Sequence, residues 1–386
     1  MRYLISSLFL FVVFTACQNA ESNLDLEKAR VTEFTNTIVN GLKESHPAVL
    51  DLHLDKTAFV NRVVNDNYWD EQLNLLGNTN YKENYKTQLL QEMSLARMFL
   101  SGIEPQQYFA YDLSKIYEID GRWHAVFRIY ANTAINYHDY LLRVDSSKVW
   151  IEDVYIMTIG NQLSKVMQEV YIAGIPSANN ATPYRDFQLV GKAKRWMAQK
   201  NYSMAIATFD SLSSAYKSQK SMRLFWLQIS ANIPDEAYIR AIENYEKTYP
   251  NDAGTLLLQL DKNFMFGNYP EVLRGLDRLE KMYGKDPIVD FLRGNANYGL
   301  GKCALAADYF SQASALKKDW VAPWQNRMEC WIRNDRYEEA IPLLDTLVAR
   351  FDYTPTYCKY VLSDYPNFLN SSTFRNWRAK LEIPES

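Results

Sequence analysis

Tyr202-Ser203-Met204-Ala205-Ile206-Ala207-Thr208-Phe209-Asp210-Ser211-Leu212 decides how the back half of this chain folds, because its spacing returns four more times. Tyr202, Ala205, Phe209 and Leu212 are followed by Tyr238, Ala241, Tyr245 and Thr248, then by Tyr269, Val272, Leu276 and Leu279. Cys303, Ala306, Phe310 and Ala313 come next, and Tyr337, Ala340, Leu344 and Leu347 close the series. Successive starts are 36, 31, 34 and 34 residues apart. Intervals of three and four residues keep each quartet on one helical face. The small second residue lets a partner helix approach before the large third one interlocks with it.

These residues resemble the second helix of the tetratricopeptide repeat. Gly267-Asn268-Tyr269, Gly301-Lys302-Cys303 and Asp335-Arg336-Tyr337 read as the turns between paired helices, with glycine twice at the left-handed position that ends the first helix. First helices match less closely. Gly294-Asn295-Ala296 and Trp324 keep the family's small residue and aromatic, whereas Asn263 and Asn297 stand where an aromatic is usual, with Phe264 and Tyr298 one place later. The resemblance implies an all-α superhelical solenoid of five repeats over 184–353. Capping helices over 354–386 carry Tyr357, Tyr360, Val361, Tyr365, Phe368, Phe374 and Trp377 on their apolar side.

In that family the first helices line a concave groove. The register puts Phe187, Lys194, Met197, Arg223, Trp226, Leu257, Asp261, Phe264, Phe291, Asn295, Tyr298, Gln325, Glu329 and Arg333 near it. Aromatic rings beside single charges suit an extended peptide or a partner helix, since rings bury large areas at low rotamer cost. The same pattern also admits that half of these residues are core.

Upstream, Ile175-Pro176-Ser177-Ala178-Asn179-Asn180-Ala181-Thr182-Pro183 is dense in proline and small polar residues, so 176–183 is expected to be a linker. Residues 24–175 read as an α+β domain. Helical spacing covers 24–45 and 82–103, the latter with Leu89, Leu90, Met93, Leu95, Met98 and Phe99 as its apolar face. Asp120-Gly121 is a two-residue hairpin signal, because both turn positions need positive φ. Alternation then puts Trp123, Ala125, Phe127 and Ile129 on one sheet face and His124, Val126, Arg128 and Tyr130 on the other. Strands over 135–144 and 149–157 extend an antiparallel meander, and a helix over 161–173 supplies a cover. The order of elements is similar to a cystatin-like or NTF2-like roll.

His124, Tyr137, His138, Asp139, Asp153 and Tyr155 are the candidates for acid–base chemistry, with Asp139 as base and Tyr137 as acid if a pocket encloses them. Alternation weighs against this, since His138 and Asp139 must point to opposite faces. Phosphate loops, dinucleotide fingerprints, H-E-x-x-H and G-x-S-x-G are missing, so no cofactor, metal or catalytic residue is expected. With 42 Lys+Arg against 45 Asp+Glu among 386 residues and no basic block, nucleic acid is not an expected partner.

The address lies at the start. Met1 to Ala16 carries one cation, Arg2, and an apolar run from Leu8 to Phe14, the layout of a secretory signal and too short to span a bilayer. Phe14-Thr15-Ala16-Cys17 resembles the lipobox of bacterial lipoproteins, and the polar 17–23 segment suits a tether. The resemblance implies a lipidated Cys17 carrying a diacylglyceryl thioether and an amide-linked acyl chain, enough for stable anchoring where a single chain binds only marginally. The expected location is the bacterial cell envelope. The remaining Cys303, Cys330 and Cys358 are odd in number and form no C-x-x-C, so packed thiols are favoured over a disulfide. Together these readings point to a membrane-anchored, non-catalytic scaffold that holds a protein or peptide. The alternative is small-molecule or glycan binding, with or without catalysis, in the N-terminal roll, with the solenoid as scaffold.

Overall fold

A computed structural model describes residues 24–64, 80–100, 110–131, 134–146, 148–173, 181–233, 235–250 and 252–381. The signal and lipobox, with Cys17, lie outside the described residues, as do 176–180 of the expected 176–183 linker, whose last three residues are helical instead. The chain forms two compact units that divide in sequence between Thr255 and Leu256. Among the described residues no helix is long and apolar enough to cross a membrane.

The first unit opens with helix α1 (24–43), then α2 (Val49–Leu52), α3 (Lys56–Val63), α4 (Tyr81–Glu92) and α5 (Leu95–Leu100). Strands β1 (Ala110–Ile119), β2 (Arg122–Ala131), β3 (Ala134–Val144), β4 (Val149–Ile156) and β5 (Asn161–Gln162) follow as one antiparallel meander in chain order. Helix α6 (Leu163–Ala173) completes the α+β part. At the β1–β2 turn Asp120 and Gly121 take φ of 52° and 71°, the geometry that the Asp-Gly pair signals. Trp123, Ala125, Phe127 and Ile129 face a core built with Val31, Phe34 and Ile38 of α1, Phe59 and Val60 of α3, and Tyr140, Leu142, Ile151 and Val154 of the sheet.

The expected helix over 82–103 is broken after Glu92. Met93 is extended, and Ser94 restarts the chain: its hydroxyl accepts from the Arg97 N–H (3.0 Å) and donates to Asp51 (2.7 Å). Leu89, Met93 and Leu95 are buried, while Leu90 and Met98 are exposed, so the expected apolar face is split between two helices. Helices α2 and α3 are too short to leave a periodic signal in the sequence.

Beyond the sheet lie α7 (Ala181–Ala198), α8 (Tyr202–Asp210), the one-turn α9 (Ser214–Lys217), α10 (Lys220–Ser230) and α11 (Asp235–Thr248). Helix α12 (Ala253–Met265) runs across the division. The second unit continues with α13 (Tyr269–Tyr283), α14 (Pro287–Gly299), α15 (Cys303–Leu316), α16 (Val321–Arg333), α17 (Tyr337–Phe351), α18 (Pro355–Val361), α19 (Pro366–Leu369) and α20 (Ser372–Leu381). The fold is thus an α+β region followed by a helical solenoid of the tetratricopeptide type.

The repeat is visible in its backbone. Lys200, Gly267, Gly301 and Asp335 end first helices with φ of 57°, 65°, 73° and 56°. Each is followed by the same six-to-one hydrogen bond: Asn201 to Trp196, Asn268 to Asn263, Lys302 to Asn297 and Arg336 to Trp331, at 2.8–2.9 Å from N–H to carbonyl. This is the Schellman closure that satisfies the last carbonyls of a helix. Ala205, Ala241, Val272, Ala306 and Ala340 are all buried, as are Phe209, Tyr245, Leu276, Phe310 and Leu344, so the second helices pack as their spacing requires. The end of the array differs from expectation. Phe368, Phe374 and Trp377 are buried, but Tyr357 and Tyr360 are 46% and 75% exposed, and three short helices close the chain.

Within the first unit the sheet and the hairpins are pinned together. Lys220, at the start of α10, donates to the Gly160 carbonyl and pairs with Asp252. Gly160 has φ of 62°, and a Cβ there would fall 2.5 Å from both the Lys220 ammonium and the Asp252 carboxylate. Only glycine fits both the conformation and the space.

Candidate functional site

Helices α8 to α11 enclose an open cleft of about 320 Å³, lined by Phe209, Ser214, Lys217, Ser218, Arg223, Trp226, Ala241, Asn244 and Tyr245. Its floor is aromatic: Trp226, half-buried, stacks on Phe209 with centroids 5.0 Å apart and planes 30° from parallel. Its cations are turned toward backbone carbonyls. The Lys217 ammonium donates to Asp210 O (3.0 Å) and the Arg223 Nε to Ser218 O (3.3 Å), and no carboxylate belongs to the lining. Helix α9 exists because Ser213 caps it, its hydroxyl accepting from the Tyr216 N–H (3.2 Å) while it donates to the buried Asp186. Burial pushes the Tyr245 phenol, in the wall, well above its ordinary range.

Of the residues expected near a groove, Arg223 and Trp226 share this cleft. Phe187 and Lys194 line a separate cavity of about 730 Å³ along α7, together with Arg185, Lys192 and Arg195. Met197 packs against the core of the first two hairpins. Lys217, Ser214 and Asn244 were not legible as site residues; the one sign of them is the 36-residue step that makes room for α9.

In the second unit Leu257 is half-buried, Asp261 is exposed, and Phe264 meets Tyr269 edge-on at 6.5 Å. Phe291 belongs to the interior. It is 8% exposed and packs against Trp320 (4.5 Å) and Phe310 (5.7 Å), since Trp320 at the start of α16 folds over it. Asn295 accepts from the Asn326 side chain (2.9 Å). The remaining four residues meet the chain's own C-terminal segment. Gln325 donates to the Tyr353 hydroxyl. The Tyr365 hydroxyl donates to Glu329 (3.2 Å) and accepts from the Arg333 Nε (3.4 Å). The Arg333 guanidinium lies over the rings of Tyr298 at 4.7 Å and Tyr365 at 5.9 Å. Burial raises the Glu329 carboxyl above the ordinary glutamate value, against the opposing pull of Tyr365 and Arg333.

Of the six polar residues of the sheet, His124, Tyr137, Asp139 and Tyr155 share one face, and His138 lies on the other. Asp139 accepts from Tyr117 and sits 3.0 Å from the His124 ring, on the face turned away from the main core. His138 points into that core, between Phe99 and Tyr111, where burial holds its ring near a pKa of about 3. Asp153 is a cap for α6, accepting from the Ser164 hydroxyl (2.6 Å) and N–H (3.2 Å). Tyr137 is buried opposite Arg128 on the Asp139 face, and burial pushes Tyr155 up to about 12. Among the described residues no group of three or more His, Cys, Asp or Glu side chains is placed to hold a metal ion.

No family model matches the chain, and no curated relative matches it. Solved structures similar to it include MamA of AMB-1, at 16% identity over 43% of this chain and 98% of that one, with a TM-score of 0.35. MamA of MSR-1 gives 15% identity over 44% and 97%, with a TM-score of 0.36. The C-terminal part of a TPR repeat-containing protein from Cytophaga hutchinsonii gives 16% identity over 56% and 90%, also at 0.36. These likenesses are loose, and it is the recurring turns and buried quartets that mark the repeat.

Proposed function

We propose that this chain is a lipid-anchored protein of the bacterial cell envelope that holds a protein or peptide partner without catalysis, and that the α8–α11 cleft is its main contact. The observation that carries this reading is the pairing of a stacked Trp226–Phe209 floor with Lys217 and Arg223 in an open cleft. Such a surface suits a segment that offers an apolar side chain beside an anionic or carbonyl-rich stretch. A non-catalytic role is supported by the placement of His138 on the face opposite Asp139 and by the capping duty of Asp153. The anchor is inferred from the lipobox-like Phe14-Thr15-Ala16-Cys17.

Capture of neighbours by crosslinking in intact cells, with wild type beside Trp226→Ala, tests the cleft: the partner set should shrink in the variant, and an unchanged set overturns it. Cys17→Ser should move the protein out of the membrane fraction. Retention there overturns the anchor and leaves the cleft reading untouched.

A further inference from the structure

The three cysteines of the second unit are not equivalent. Cys303 is half-buried at the first position of α15, Cys330 is fully buried in α16, and Cys358 is buried in α18 with the C-terminal core of Leu362, Phe368 and Phe374. In the repeat, Cys303 takes the place that Tyr202, Tyr238, Tyr269 and Tyr337 hold elsewhere. One hairpin earlier that place faces the next first helix. Tyr269 lies so close over Gly299 of α14 that a Cβ there would fall 2.1 Å from its ring. The equivalent neighbour of Cys303 is α16, against which α15 packs. The position equivalent to Gly299 is Arg333, and one turn before it on the same helix lies residue 330. Cys330 stands there, at the 34-residue equivalent of the buried Ala296, and the two thiols are close enough to interact.

We propose that Cys303 and Cys330 form a disulfide that staples α15 to α16, made by thiol–disulfide exchange with an external disulfide. Cys303 is the attacking group because it is the more accessible of the two. Its thiolate bonds to one sulfur of the external disulfide, and the other sulfur leaves as a thiolate. Cys330 then gives up its proton and attacks the Cys303 Sγ, and the second external sulfur leaves. The two cysteines lose two electrons and two protons, and the external disulfide becomes two thiols. Burial raises the Cys330 thiol far above its ordinary range, which keeps it from attacking first and reserves it for the resolving step. Cys358 stays reduced. The ordinary packed-thiol reading of the sequence then holds for Cys358 alone.

The test is peptide mapping of the full-length chain after equilibration in glutathione buffers from reducing to oxidising, with acid quenching, alkylation and digestion without reductant. Trypsin cuts after Lys302, Lys317, Arg327 and Arg333, so the cysteines fall on different peptides. The expected product in oxidising buffer is Cys303–Lys317 joined to Met328–Arg333, with Cys358 alkylated on its own. Separate alkylation of Cys303 and Cys330 across all buffers, or a link to Cys358, overturns the proposal. Cys330→Ser should stop the reaction at a glutathione adduct on Cys303. Cys303→Ser should leave Cys330 unmodified until the chain is denatured, and glutathione on Cys330 in that folded variant overturns the order of attack. Wild-type mapping gives its answer whether or not the variants fold.

Discussion

Arg223 and Arg333 both belong to first helices of repeat hairpins, yet their surroundings are opposite. Arg223 lines an open cleft beside Trp226 and bonds to a backbone carbonyl. Arg333 is sandwiched by Tyr298 and Tyr365 and tied through Tyr365 to Glu329. The difference comes from what the chain does next. After α11 it passes into another hairpin, whereas after α17 it turns back and lays Tyr353 and Tyr365 on the α16 face. The two positions differ in what already engages them: Arg333 stays exposed, yet its hydrogen-bond partner is Tyr365 of the terminal segment, whereas Arg223 meets the nearby Ser218 carbonyl. Groove register alone therefore does not say which positions are free for a partner.

The most disruptive change for this contrast is Gly160→Val. The side chain would force a positive φ on a β-branched residue and drive it into Lys220 and Asp252, detaching α10 from the sheet. We expect a loss of about 3 kcal/mol or more in urea unfolding, together with loss of partner capture at the cleft. Gly121→Ala is the control, because its turn has open space around it. It should cost only about 1 kcal/mol.

Trp226→Ala comes next, with capture expected to weaken by roughly tenfold or more and little change in unfolding, since this ring is only half-buried. Equal weakening by Arg333→Ala would erase the distinction between the cleft and the position engaged by the terminal segment. Tyr365→Ala should release Glu329 and Arg333 instead, at a cost of about 1–2 kcal/mol, and hydrogen exchange should then quicken along α16.

The smallest effect concerns pH. Burial raises the Glu329 carboxyl above 4.5, so the folded chain holds its proton where the unfolded chain has already lost it. The stability that this group contributes is complete below that value and is lost as pH rises through the folded one. Glu329→Gln should unfold like wild type near pH 4 and show a slightly higher Tm at pH 7. Identical melting at both values would mean that Tyr365 and Arg333 fully offset the burial.

What the sequence made legible was local and repeated. Each quartet of a second helix carries its own spacing, and Gly267, Gly301 and Asp335 announce their turns, so the hairpins and the meander could be laid out residue by residue. Phe291 was misplaced because its burial depends on Trp320, a residue in a later helix with no mark of its partner in its own neighbourhood. The break at Met93 depends on a bond from Ser94 to Asp51, 43 residues away. Glu152 is likewise silent in the sequence, yet it gathers Arg62 at 2.6 Å, Arg143 at 3.3 Å and Arg122 onto one nearly buried carboxylate. Its strand pairing slips there, and the bulge turns the side chain toward all three.

Helix α9 changes what the array can measure. Evenly spaced hairpins are interchangeable rungs, and a ligand could slide from one to the next at little cost. A single extra turn between Leu212 and Lys220 gives one rung a ledge, so a segment seated in the proposed cleft would have a fixed zero from which its other contacts are counted. Shortening that turn would convert a keyed position into one step among equals.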